Sequence, residues 1–263
     1  MAARFIIGLA GTGKTHHCAS AMAQAAQADP LGPPLFWLVP QQATFMSEQR
    51  LLAQPGLPGT FRVQVLGFAR FCRTIAPELG LESTLDLSGI TRMLLLAQAV
   101  DQSHKKLVLF QHVAQHAGFL RNLDAILREL QQAGHDTDSL NQVRQTLTSH
   151  NQSDDILDRK LQDFITLLAA WQTRLGSNQY DPDRLPQLVA DRLSKSSAVA
   201  ASHVWLDSFS SLSMVEINLI TALAKCCRSV EITILADPES PVFRSPDAPL
   251  QPLSTFHRTE VMY

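Results

Sequence analysis

The sequence predicts an α/β protein: a parallel β-sheet carrying a phosphate-binding loop, with an all-helical segment inserted before the sheet resumes. Three observations support this. Short runs rich in β-branched and aromatic residues occur near both ends of the chain, and they read as nearly continuous apolar stretches, as buried parallel strands do. The first run leads directly into Gly8-Leu-Ala-Gly-Thr-Gly-Lys14-Thr15 and then into an Ala-rich stretch. Between Pro77 and Pro182 there is no proline, and Leu, Gln and Ala dominate, a composition that favours helix.

Taken in order, Arg4–Gly8 is the first strand. A helix is expected from Lys14 to Ala28, ended by Asp29-Pro30 and the breaker Leu-Gly-Pro-Pro. Leu35–Val39 and Phe61–Leu66 are the next strands, so the opening segment is a βαβ unit. Leu120, Leu123, Leu127 and Leu130 form one helical stripe, and Leu161, Phe164, Leu168, Trp171 and Leu175 another. Four or five helices are expected here, with breaks near Gly134, near Ser149 to Ser153 and at Gly176. His203–Asp207 is a short strand ending in an aspartate, followed by a helix from Met214 to Cys227 and a strand from Val230 to Ala236. The segment Asp237–Pro252 holds five of the 14 prolines and reads as a loop, whereas Ser254–Tyr263 reads as the start of a helix that stops abruptly. The expected partition is a sheet domain from 1–80 and 200–263 and a helical domain over 81–199, in what reads as a piece of a longer chain.

Composition narrows the function. Of 263 residues, 45% are apolar and 17% charged, as in a folded domain. The 22 basic and 24 acidic residues give a net charge of −2, which excludes a globally basic nucleic-acid binder and leaves room for a local basic face. No apolar run approaches the length of a membrane span, and the N-terminus lacks the features of a signal peptide, so no membrane partner is expected. Cys18, Cys72, Cys226 and Cys227 include no CxxC pair, which fits reduced thiols in a cytoplasmic protein.

The segment Gly8–Thr15 satisfies G-x-x-x-x-G-K-[ST] between a predicted strand and a predicted helix, the context in which the pattern has meaning. Gly8, Gly11 and Gly13 let the backbone curl so that successive N–H groups of the loop, Thr12 included, face phosphate oxygens, and the helix N-terminus adds its positive end. Lys14 would reach the β- and γ-phosphates of ATP, and Thr15 would offer its hydroxyl to Mg²⁺. Asp207, at a strand end, is the expected second magnesium residue. Ser208 follows it, where many ATPases carry a glutamate that activates water. A serine cannot be that base at neutral pH, so binding is expected with little hydrolysis. Glu216, the nearest downstream acid, falls within the next predicted helix.

The residues also carry a resemblance. The loop near the N-terminus, Phe36-Trp-Leu-Val-Pro-Gln-Gln-Ala-Thr-Phe45, Phe61-Arg-Val-Gln-Val-Leu-Gly-Phe-Ala-Arg-Phe71, Val204-Trp-Leu-Asp-Ser-Phe209 and Ile232–Ser240 occur in the order found in the N-terminal part of the B subunits of bacterial AddAB (RexAB) ATP-dependent helicase–nucleases. The chain resembles that family across nearly its whole length. The resemblance implies a RecA-like sheet of the superfamily 1 helicase type with a helical domain inserted before the strand ending in Asp207. It also implies a motor (A) subunit as partner, a role in break repair, and single-stranded or unwinding DNA along a face containing Gln41, Gln42 and Phe68. Several positions depart from an active motor. Asp207-Ser208 stands for Asp-Glu, Gly67-Phe68-Ala69 for Thr-Phe-His, and Ser240 for a γ-phosphate-sensing Gln. The family's iron–sulfur nuclease half has no counterpart here, so no DNA cleavage is expected of this chain.

From Gln49 to Pro77 there are four arginines, Arg50, Arg62, Arg70 and Arg73, and no acid, with Phe61, Phe68 and Phe71 interleaved. Cations suit phosphates and flat rings suit unstacked bases, so Arg62 and Arg70 are candidate DNA contacts. The competing reading packs Phe68 and Phe71 in the core beneath a solvated basic face. Two further functions stay open: an independent P-loop enzyme such as a small-molecule kinase, and a protein-interaction module with a vestigial loop. The helical arginines Arg92, Arg121, Arg128, Arg144, Arg159 and Arg174 read as scattered, which speaks against a kinase lid. Lys105-Lys106 and His16-His17 read as surface and helix residues, and Asp154-Asp155 and Asp181-x-Asp183 as helix caps.

Overall fold

The computed structural model describes residues 2–81, 87, 89–114, 116–149, 155–175, 181–237 and 256–261. Strand β1 (Ala2–Gly8), helix α1 (Lys14–Ala28) and strand β2 (Leu35–Leu38) open the chain. Helix α2 (Thr44–Leu52), strand β3 (Val63–Leu66) and helix α3 (Phe68–Ile75) follow. Then come α4 (Gly89–Ser103), α5 (Ala117–Gln132), α6 (Thr137–Ser149), α7 (Asp155–Leu175), α8 (Leu185–Arg192) and α9 (Ser197–Ala201). Strand β4 (His203–Leu206), helix α10 (Met214–Cys226) and strands β5 (Ser229–Leu235) and β6 (Phe256–Val261) complete the described elements. No described helix is long and apolar enough to cross a membrane.

The sheet runs β3-β2-β4-β5-β1-β6, and every described pairing is parallel. Strands β1 and β2 are consecutive in the chain yet separated by β4 and β5. The expected helix start near Ser254 is corrected: the backbone of Phe256–Val261 pairs with β1 on the side away from β5. An unpaired strand edge is a row of free donors and acceptors, and this segment satisfies them. Residues 238–255, which include the Pro-rich loop, lie outside the described residues.

Side chains alternate between the faces of the sheet, as strand geometry requires. Leu35, Trp37, Val39, Val65 and Trp205 share a core with Cys18, Ala19, Met22, Ala23 and Ala26 of α1 and Leu51 of α2. The small residues let α1 approach the sheet closely. Phe36 has the opposite parity and meets Phe71 of α3 edge-on at 5.2 Å. Helix α3 buries Phe68, Phe71, Cys72 and Ile75, an i, i+3, i+4, i+7 stripe, while Arg70 and Arg73 stay exposed. Burial pushes the Cys72 thiol up to about 12.

Arg62 closes the start of β3 onto the end of α1. Its Nη1 donates to Ala25 O at 2.6 Å and Asp29 O at 2.7 Å, and its Nε donates to Pro33 O. A cation satisfying the last carbonyls of a helix is stabilising both by hydrogen bonding and by the helix dipole.

The chain divides into two compact units. The first comprises Met1–Leu81, Pro186–Leu212 and Glu216–Tyr263, the second Glu82–Leu185 and Ser213–Val215. Within the first, the Glu78 carboxylate accepts from Ser196 Oγ at 2.5 Å, from Ser197 N at 2.7 Å and from Ser197 Oγ at 2.9 Å, capping the start of α9. The second is helical among its described residues, with Leu96, Leu123, Leu127, Leu167, Leu168 and Trp171 in its core. Its Asp163 is fully buried and accepts from the backbone N–H groups of Val108, Leu109 and Phe110, each at 2.8 Å.

The helical arginines are less scattered than the sequence suggests. Arg92 is buried, contacts Asp124, donates to both oxygens of Asp181 at 2.7 Å and lies over the Trp171 ring. Arg128 reaches the same Asp124 at 3.0 Å and Asp183 at 3.4 Å. Asp181 also caps the turn that follows it, accepting from Asp183 N. Burial, reinforced by Asp181, pushes the Asp183 carboxyl up despite the two arginines.

Asp163→Ala would remove the shared acceptor of three N–H groups in a partly exposed turn, and urea unfolding should show a loss of about 1–3 kcal/mol. Glu78 is held below its ordinary value first by the Ser196 hydroxyl, partly offset by burial, and then by Ser197. A depressed carboxyl stabilises above its unfolded value, and that contribution is lost as the pH falls through and below the ordinary glutamate value of about 4.3. Glu78→Gln should therefore cost about 1 kcal/mol at neutral pH, a modest figure because the group is largely exposed, and less at an acidic pH below that ordinary value. Equal deficits at the two pH values would refute the assignment.

Candidate functional site

The turn after β1 owes its shape to two glycines. Gly11 has φ 83° and Gly13 φ 91°, a left-handed conformation that costs an ordinary residue about 1–2 kcal/mol. An added Cβ would meet nothing within 4 Å at either position, so the demand is conformational rather than steric. Gly13 caps α1 without a side-chain acceptor, and the first intrahelical bond runs from His17 N to Gly13 O at 2.8 Å. The earlier N–H groups of the first turn are thus available to a ligand. Thr12 Oγ1 braces the loop by donating to Leu9 O at 2.9 Å. Lys14 Nζ lies across the loop, donating to Gly8 O at 2.7 Å and Leu9 O at 2.8 Å.

Above this loop is a cavity of about 440 Å³. Gly11, Gly13, Lys14, Thr15 and His16 line one side, and Arg50, Ala53 and Gln54 from the end of α2 line the other. The lining holds two fixed cations and no carboxylate, so its field favours an anion.

Asp207 stands at the same edge of the sheet. Its N–H continues the ladder to Leu38 O at 3.0 Å. Its Oδ1 accepts from Thr233 Oγ1 at 2.6 Å and its Oδ2 from Ser208 Oγ at 3.2 Å. The residue is 2% exposed. Strand β5 alone separates β4 from β1, so Asp207 and the glycine loop begin about 10 Å apart across two strand spacings. Asp207 has the parity of Trp205 and so faces α1. Consistently, the Cys18 thiol on α1 is pushed up by burial and then by the carboxylates of Asp207 and Glu231. Asp207 is not among the cavity-lining residues. Among the described residues no three His, Cys, Asp or Glu side chains converge into a metal-holding group.

Ser208 has φ 66°, and among the described non-glycine residues it is the one with positive φ. Its hydroxyl is aimed at Asp207. Glu216 lies within α10. Pro238, Glu239 and Ser240 lie outside the described residues.

The expected DNA contacts divide. Gln41 begins the turn after β2 and its Oε1 crosses the β3–α3 turn, where a Cβ on Gly67 would meet it at 2.7 Å. Gln41, Gln42 and Arg70 are all exposed at or near the C-terminal edge of the sheet. Phe68 is also there but only 6% exposed, with its ring 4.9 Å from that of Phe209, so it supports this face from below and offers no ring to a base. Arg62 is corrected: it precedes β3 whereas Arg70 follows it, which puts Arg62 at the opposite edge with its guanidinium committed to carbonyls.

Sequence reasoning missed the α2 wall and Thr233. A signal for the wall existed, since a helix following β2 crosses on the same side as α1 under the right-handed rule. Arg50 lies in the last turn of that helix, and Ala53 and Gln54 follow directly after it.

The family model described as "ADDB, N-terminal" matches residues 5–263. The B subunit of the ATP-dependent helicase/deoxyribonuclease of Heliobacterium modesticaldum is 35% identical over 90% of this chain and 19% of its own length. Its counterpart in Desulforudis audaxviator is 35% identical over 91% of this chain and 20% of its own, and that of Bacillus anthracis is 28% identical over 100% and 22%. The chain spans about a fifth of the length of these relatives. With the family model covering nearly all of it, this chain belongs to the ADDB N-terminal family.

Proposed function

We propose that this chain is an ATP-binding, DNA-engaging part of a helicase–nuclease subunit acting in break repair, with little or no hydrolysis of its own and no nuclease activity. The observation that supports this is the placement, at one edge of a parallel sheet, of a glycine loop with Lys14 beside an anion-favouring cavity and a buried strand-end aspartate. On this reading residues 1–80 and 200–263 form a RecA-like P-loop domain and residues 81–199 a helical insertion. Gly8, Gly11, Thr12, Gly13, Lys14 and Thr15 hold the nucleotide.

Magnesium suits the donors present. The Thr15 hydroxyl and the Asp207 carboxylate are hard oxygen ligands of the kind that share the ion with phosphates and water. The ion supplies charge neutralisation for the triphosphate. Thr233 and Ser208 orient the carboxylate through the hydrogen bonds they donate to it. Nothing in the Ser208 position can take a proton from water at neutral pH, which supports retention of nucleotide over its cleavage.

DNA, single-stranded or being unwound, crosses the face formed by Gln41, Gln42 and Arg70 with Phe68 beneath it. The motor subunit of the complex is the protein partner. A cytoplasmic location follows from a DNA substrate and four free thiols. The kinase reading loses support because Arg92 and Arg128 are engaged with carboxylates rather than held ready for a substrate.

Mg-ATP at about 100 times its dissociation constant should stabilise the chain by about 2.7 kcal/mol. The shift should vanish in Lys14→Ala, and a thermal melt that ignores millimolar Mg-ATP would defeat the proposal. For DNA, affinity for a single strand should fall with salt, and Arg70→Ala should reduce the slope by about 1. Arg62→Ala should instead destabilise the fold by about 2 kcal/mol and leave the slope unchanged. A flattened slope in Arg62→Ala, with Arg70→Ala unaffected, would reverse the assignment.

A further inference from the structure

We propose that the C-terminal end of α2 is the wall that recognises the nucleoside, with the guanidinium of Arg50 against the base. This rests on the nucleotide reading of the glycine loop and adds a residue that neither the motif nor the family match assigns. The cavity is two-sided. Phosphates cradled by the loop and Lys14 occupy the α1 side, which leaves the side lined by Arg50, Ala53 and Gln54 for what the phosphates carry. His16, one residue past Thr15, lines the α1 side and is exposed.

The wall is fixed in place. Ser20 Oγ on α1 donates to Gln54 Oε1 at 2.9 Å, and Gln54 Nε2 donates to Arg50 O at 3.2 Å. The end of α2 is thereby tied to the helix that carries the phosphate loop, at the residue whose side chain the proposal uses. Gln54 is a positioning residue here. Ala53, exposed and small, leaves room beside Arg50. A guanidinium offers a flat face for stacking on an aromatic ring as well as a fork of donors, and a base presents both a π-face and acceptors. With no carboxylate in the lining, a negatively charged ligand meets no repulsion.

Calorimetric titration of the chain with Mg-ATP and with magnesium tripolyphosphate separates the two ends of the site. Lys14→Ala should abolish binding of both. Arg50→Ala should weaken Mg-ATP about tenfold, the loss of roughly one charge-assisted contact, and tripolyphosphate by less than about twofold. Arg50→Lys keeps the charge without the plane and should stay within about threefold of Arg50→Ala for Mg-ATP. Arg50 is exposed, so an unchanged urea midpoint will show that its variants fold. Equal weakening of both ligands in Arg50→Ala, or of neither, would overturn the assignment while leaving the phosphate loop standing. Wild-type protein that binds neither ligand would instead overturn the nucleotide reading itself, and this proposal with it.

Discussion

In a fully parallel sheet every strand delivers its C-terminal end to one edge, and in this chain the register of β4 decides what meets there. Leu206 is level with Leu38 on one side and Ile232 on the other. That places Asp207 beside Thr233 and on the α1 face. A slip of one residue would turn Asp207 to the opposite face, away from the Thr233 hydroxyl and from the loop. Burial favours this register: Val204, Trp205 and Leu206 are all buried, and a one-residue shift would carry polar His203 or Asp207 into the place of one of them. The packing that specifies the fold therefore also sets the chemistry of the edge.

The same edge carries the backbone strain. Gly11 and Gly13 take left-handed conformations without cost, but Ser208 does so with a Cβ. Such a conformation persists where its surroundings over-determine it. Here Asp207 N is bonded to Leu38 O, the Ser208 hydroxyl is turned to Asp207, and Phe209 is packed on Phe68. The strained residue thus joins the buried aspartate to the start of α3. On the proposed reading, this link runs from the nucleotide end of the sheet edge to the DNA end.

Much of this was legible in the sequence because local rules sufficed. Glycine punctuation and an alanine-rich run gave α1 its observed bounds, Lys14–Ala28, and a short apolar run ending in an acid marked β4 and Asp207. What was not legible depends on contacts distant in the chain. Arg62 and Arg70 are eight residues apart, and only the bounds of β3 reveal that they lie at opposite edges. Arg92 and Asp181 are 89 residues apart, so their meeting leaves no mark in local spacing. Phe-His-Arg-Thr-Glu-Val has no apolar run to announce a strand, and its pairing follows from the edge β1 leaves open. The glycine loop was readable as a motif, but the opposite wall of its cavity belongs to a helix without one.

Binding and cleavage make separate demands on such an edge. Binding draws on backbone N–H groups, a lysine and a helix end, all of which belong to local structure that the core of Trp37, Met22 and Trp205 holds in place. Cleavage needs one more base at a defined distance, and a single side chain can remove it. A serine next to Asp207 leaves every element of the first set untouched. On the proposed reading the nucleotide then acts as a ligand that spans α1 and α2, stabilising in proportion to the logarithm of its concentration over its dissociation constant. That role requires contacts on both helices, which is why the Ser20–Gln54 bond matters: it keeps the second wall in register with the first.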